Sequence, residues 1–118
     1  MAAKDRLGAR GEQLAAAFLE RSGISIIERN WRCSQGEIDV IVQDGDETAF
    51  VEVKTRSSVQ FGHPLEAITP EKLARLRRLA AAWCETHPQP GRHIRIDAIA
   101  VIAPTGGPVS IDHLKRVF

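Results

Sequence analysis

Cysteine is scarce in this chain: only Cys33 and Cys84 occur, and they lie far apart. That excludes a Cys-x-x-Cys zinc pair and the dense even-numbered pattern of a small secreted scaffold, and it leaves two ordinary reduced thiols. A long apolar run is missing too. No segment approaches the roughly 18 consecutive apolar residues of a spanning helix, and Met-Ala-Ala-Lys-Asp-Arg-Leu-Gly at the start has no apolar core of signal-peptide length. The expectation is a cytoplasmic protein, neither exported nor anchored in a membrane. An excess of one charge is also absent, because 16 Lys and Arg against 15 Asp and Glu leave a net +1. Small basic nucleic-acid binders carry a stronger footprint, so a nucleic-acid function must rest on local features. The four histidines, His63, His87, His93 and His113, show no metal-ligand spacing and are assigned no catalytic role.

What is present is ordinary for a folded chain. With 118 residues, 43% hydrophobic and 26% charged, one domain over 1-118 is expected, with a modest core of its own. Leu7, Leu14, Ala15, Phe18 and Leu19 recur at helical spacing, which predicts a helix ending near Gly23. Glu12 falls beside Leu19 at the border of that stripe, where it can reach a neighbouring site. Ile24, Ile26 and Ile27 read as a short strand or an approach to the sheet, and the polar run Arg29-Asn30-Trp31-Arg32 stays ambiguous. The strongest signal follows. Ile38, Val40 and Val42 alternate with Glu37, Asp39 and Ile41, and after Asp44-Gly45-Asp46 the segment Ala49 to Arg56 alternates again, a hairpin pattern.

Thr55 to Pro64 reads as a loop. Thr69-Pro70 is a cap followed by a first-turn proline, so a second helix begins there, with Leu73, Leu76, Ala80, Trp83 and Cys84 as its buried stripe. Arg95 to Ile102 is a strand, apolar after Asp97 and therefore central, and Val109, Ile111 and Leu114 mark a last short element. Helices separated by strands, with no internal repeat, indicate an α/β fold: a mixed β-sheet flanked by helices.

The hairpin carries the chemistry. A two-residue turn at Gly45-Asp46 pairs Asp44 with Glu47, and the register then sets Asp39 opposite Glu52 and Glu37 opposite Lys54, all on one face. Two carboxylates at about 4.5 to 5.5 Å repel each other and stay ionised together only around a cation or a shared proton. Oxygen ligands completed by water suit Mg²⁺ or Mn²⁺, and Lys54 could orient the attacking water and stabilise charge on a phosphodiester. Carboxylates and lysines alternating along a strand are also what a solvated outer face looks like. Against that, Phe50 and Ile41 lie on this same face, so it should be partly covered.

Asp39 followed by Glu52-Val53-Lys54 resembles the core of the PD-(D/E)XK nuclease superfamily, with Ile38 where the superfamily has a proline. Gly11-Glu12, Asn30-Trp31-Arg32, Gly36-Glu37-Ile38-Asp39, Phe50 to Arg56 and Arg95-Ile96-Asp97, in this order, resemble the bacterial YraN family, which is similar to archaeal Holliday-junction resolvases. The resemblance implies a restriction-endonuclease-like three-layer fold and a metal-dependent nuclease acting on DNA, branched or structured DNA included. In it Asp39 and Glu52 bind Mg²⁺ or Mn²⁺, Lys54 assists hydrolysis and Glu12 acts as an accessory acid, with Glu37 a further accessory candidate. A homodimer would suit symmetric cutting of two strands. The fold also hosts proteins that bind nucleic acid or assemble with partners without cutting, which is the alternative function. Arg56, Lys72 and Arg75 are the candidate nucleic-acid contacts, although the charges of helix two also fit a solvated face. Trp31 could stack on a base; Trp83 belongs to the apolar stripe. Asp97 is expected to hold a partner by hydrogen bonding rather than to bind metal.

Overall fold

A computed structural model of the chain describes residues 2–60 and 62–117. It is a five-stranded mixed sheet with one helix on each face: α1 (Ala3–Arg21), β1 (Ser25–Cys33), β2 (Gly36–Asp44), β3 (Glu47–Arg56), α2 (Pro70–Thr86), β4 (His93–Ile102) and β5 (Ser110–Leu114). The strands lie in the order β1-β2-β3-β4-β5. Among the described residues only β3 and β4 run parallel, and the connection between them carries α2 across the sheet, as a parallel pair requires. This is the restriction-endonuclease-like α/β architecture with three layers. Among the described residues, no helix is long and apolar enough to cross a membrane.

Two apolar layers hold the helices. Ala15 and Leu19 of α1 pack on Val40, Val42, Ala49, Val51, Ile99 and Val101. On the opposite face Leu76, Leu79, Ala80 and Trp83 of α2 cover Ile38, Ile41, Phe50 and Ile96. Phe50 and Trp83 meet edge to face, with centroids 5.6 Å apart, a geometry worth about 0.5–1.5 kcal/mol beyond the buried area. Trp83 is therefore core. Thr69 caps α2 by accepting the Lys72 N–H at 3.2 Å, as the Thr-Pro pair predicts.

Some details differ from the sequence reading. The polar run Arg29 to Arg32 is no interruption, because β1 continues through it to Cys33 as an edge strand that need bury only one side. Leu79, outside the expected stripe of α2, is fully buried, whereas Leu73 and Cys84 are half-buried. β3 extends to Arg56, and the following loop contains a short 3₁₀ turn, Pro64–Ala67, capped by His63.

Candidate metal centre

The hairpin turns at Gly45-Asp46 with Asp44 paired to Glu47, as the alternation predicts, and Gly45 takes the left-handed φ of 61° that such a turn needs. From there the β2–β3 ladder runs to Val40 opposite Val51. One residue further, Asp39 places its side chain where a backbone partner would sit: its Oδ2 accepts the Val53 N–H at 2.8 Å. The neighbouring ladder is altered at the same level. Pairing of β1 with β2 passes from Arg29 opposite Val40 to Trp31 opposite Ile38, stepping over Asn30 and Asp39, and Asn30 has a left-handed φ of 53°. The sheet is thus deformed on both sides of Asp39. Simple alternation fails there, since Ile38 and Ile41, three residues apart, both pack under α2 while Val40 packs under α1.

The deformation opens a cleft of about 510 Å³ between α1 and the ends of β2 and β3, lined by Glu12, Asp39, Glu52, Lys54 and Arg56 among others. Gly11 brings α1 close enough to contribute. A Cβ built there would lie 1.8 Å from the Thr55 hydroxyl, so only glycine lets the helix backbone approach β3 at this point. Glu12, the next residue, then reaches the cleft from the border of the apolar stripe.

Glu12, Glu37 and Asp39 each present a carboxylate oxygen, all within 4.8 Å of one another. Asn30 ties two of them together. Its side-chain amide donates to Glu12 Oε1 at 2.8 Å and to Glu37 Oε1 at 3.0 Å, while Arg32 Nε donates to Glu37 Oε2 at 2.6 Å. Glu37 is therefore held by β1 through Asn30 and Arg32, not by an opposing Lys54 on β3. Glu52 lines the same cleft but stands outside the close trio. Sequence reasoning quoted Asn30 without giving it a role. Its signal was a short amide in a strand otherwise rich in arginine, a residue type that tolerates a left-handed backbone.

The electrostatics follow from this crowding. Burial pushes the Asp39 carboxyl up to about 7, the charges of Glu52, Glu12 and Glu37 add to the rise, and the Val53 N–H opposes it. Glu52 is also raised, by burial first, against the downward pull of Lys54, Arg75 and Lys72. Lys72 is lowered by burial and by the neighbouring Lys54. Two of the expected nucleic-acid contacts, Lys72 and Arg75, thus lie close enough to Glu52 to act on it, and Arg56 is exposed at the rim of the cleft.

A family model described as Uncharacterised protein family UPF0102 matches residues 11–101, a span that holds every motif quoted above from Gly11-Glu12 to Arg95-Ile96-Asp97. The chain belongs to the UPF0102 family. This is the YraN family of the sequence reading. A UPF0102 protein of Leifsonia xyli subsp. xyli is 56% identical over 118 residues, covering 99% of both chains. One from Beutenbergia cavernae is 52% identical over 117 residues, again 99% of both. One from Frankia casuarinae is 47% identical over 118 residues and covers the whole of each. Membership in UPF0102 fixes kinship along the full length and leaves the chemistry to be argued from the cleft.

Proposed function

We propose that this protein is a Mg²⁺- or Mn²⁺-dependent nuclease that hydrolyses phosphodiester bonds in DNA, including branched or otherwise structured DNA. The observation that carries this is the convergence of the Glu12, Glu37 and Asp39 carboxylates, two of which, Glu12 and Asp39, line one cleft with Glu52 and Lys54. The donor set fits the ion: every ligand atom is a carboxylate oxygen, the preference of hard divalent cations, and the charged groups that act most on Asp39 are themselves acids. Glu12, Glu37 and Asp39 would hold the cation, with Glu52 completing the acidic wall. When bound, it supplies Lewis-acid stabilisation of phosphate charge and makes water easier to ionise.

The protein's own groups do the rest. Asn30 orients Glu12 and Glu37 through a single amide, so the ligands are set before anything binds. The Val53 N–H fixes Asp39. Lys54, beside Glu52, orients the attacking water and offers a positive charge where the phosphate becomes more negative.

A panel of single-stranded, duplex, flapped and four-way DNA, together with RNA, incubated with Mg²⁺ or Mn²⁺, tests the reading. Wild type should cut at least one DNA substrate, and Asp39→Asn and Lys54→Ala should each lower the rate by about 10² or more. Equal cutting by wild type and both variants would mark a contaminant and refute the proposal. Nucleic-acid binding that survives Lys54→Ala with no cutting by any form would favour the non-catalytic alternative.

A further inference from the structure

The acidic cleft does not end at Glu12. A second groove between α1 and β1 shares Glu12 with it and is lined by Arg6, Arg10, Arg29 and Asn30. A third depression continues from Arg10 and Arg29 along α1 as far as Glu20. Together they form one track that starts at the carboxylate cluster and runs away from it along the outer side of the sheet edge.

Two of the three arginines on this track, Arg10 and Arg29, are not neutralised by any group among the described residues. Arg6 and Arg10 stand four residues apart on one helix face, a like-charge spacing that costs helix stability, and Arg29 faces them from β1. All three are exposed. Among the described residues, the side chains of Arg10 and Arg29 have neither an ion-pair nor a hydrogen-bond partner. The guanidinium groups of Arg10 and Arg29, one on each wall of the groove and without a partner among the described residues, are arranged for a ligand that brings negative charge at repeated intervals. The track also touches Glu12 directly, so whatever lies in it is delivered to the metal ligands.

We propose that the α1–β1 groove, through Arg10 and Arg29 with Arg6 beside them, binds the phosphodiester backbone of the nucleic-acid strand on one side of the carboxylate cluster. Lys72 and Arg75 of α2, the helix on the opposite face of the sheet from α1, act on Glu52, so a second source of positive charge stands near the acidic residues. Each arginine offers a planar fork that matches a phosphate with two hydrogen bonds. The inference rests on the nuclease reading for what waits at the end of the track, but the binding it assigns needs no turnover.

The test is a salt-dependent binding titration with the full chain in EDTA, using labelled single-stranded DNA, duplex DNA and RNA of equal length. Arg10→Ala/Arg29→Ala should weaken binding to the preferred probe at least about tenfold and reduce the slope of log K against log salt by about 1.4–1.8, the loss of two phosphate contacts. Arg21→Ala/Arg78→Ala, which removes two exposed charges outside the groove, should leave the slope close to wild type; thermal melts establish that both variants fold. An unchanged slope in the groove variant, an equal drop in the control variant, or no binding of any probe by wild type would each overturn the proposal. The two readings fail separately: groove-dependent binding without metal-dependent cutting sinks only the nuclease, and metal-dependent cutting with an unchanged slope sinks only the groove.

Discussion

The β2–β3 hairpin carries carboxylates at both ends, and the protein treats them in opposite ways. At the turn, Asp44 and Glu47 face Arg95, which donates to Asp44 at 2.7 Å, to Glu47 at 3.0 Å and to Asp97 at 3.1 and 3.2 Å. Lys115 adds a bond to Asp44 at 3.1 Å, Arg116 pairs with Glu47, and Asp97 takes His113 Nε2 at 2.8 Å and the Arg116 N–H at 3.1 Å. Asp44 is held below the usual carboxylate range by Arg95 and Lys115. Burial alone would raise Asp97, yet His113, the Arg116 N–H and Arg95 bring it lower. At the other end Asp39 and Glu52 are raised. The expectation that Asp97 holds a partner by hydrogen bonding is met: it is an anchor for Arg95, which is itself buried.

The lesson is that composition does not separate a structural acid from a functional one. Both regions hold three or more carboxylates on adjacent strands. In the turn region cations from β4 and from the segment after β5 neutralise them internally, whereas at the other end Arg32 pairs with Glu37, Lys54, Arg75 and Lys72 act on Glu52, and no cation is among the groups that act most on Asp39. A buried acid without a cation is costly, and a divalent cation bound as proposed above would remove that cost.

The comparison can be broken most forcefully through Arg95. Arg95→Ala would leave Asp97, which is 0% exposed, without its guanidinium, and the loss of one partner of a buried pair costs about 3–5 kcal/mol. Urea denaturation at pH 7 measures this. Asp97 is the group to follow with pH, because its carboxyl is lowered in the folded state. The unfolded chain therefore binds more protons near the ordinary carboxylate value, so the stability Asp97 contributes is present above that value and is lost as pH falls through the lowered one. Arg95→Ala should weaken this acid limb.

Asp39→Asn should act in the opposite direction. Asp39 is raised from 3.8 to about 7, so between those values the folded state holds a proton that the unfolded state has lost, and stability declines as pH rises through the window. An asparagine removes the decline. In metal-free buffer the variant should match wild type near pH 4 and exceed it by about 1–3 kcal/mol at pH 8. Denaturation curves at the two pH values decide it, and a variant less stable than wild type at pH 8 would contradict the uncompensated charge. The smallest effect belongs to Arg32→Ala. The Arg32 side chain is 78% exposed against Glu37, so its loss should change stability by less than about 0.5 kcal/mol, measured by the same denaturation.

Much of this was legible in one dimension because hairpins are local. Asp44-Gly45-Asp46 between alternating segments specifies the turn, and the turn specifies the register from Asp44 opposite Glu47 to Val40 opposite Val51, next to which Asp39 and Glu52 follow on neighbouring strands. Helical spacing likewise put Glu12 at the edge of the apolar stripe, and Thr69-Pro70 marked the start of α2. Period and turn chemistry depend on residues a few positions apart, so the amino-acid sequence alone determined the α/β class, the hairpin and the candidate acids.

Only the tertiary structure decided which acids meet. Asn30, 18 residues from Glu12 and 7 from Glu37, joins them by one amide, and no local pattern foretells that bond. The roll of β2 at Asp39, which puts Ile38 under α2 instead of beside Val40, depends on packing against both helices at once. Arg95 reaches Asp44 across 51 positions of chain. Burial and proximity of charges set whether a carboxylate is neutralised or left for a ligand, and both are properties of the folded chain rather than of any residue's neighbours in sequence.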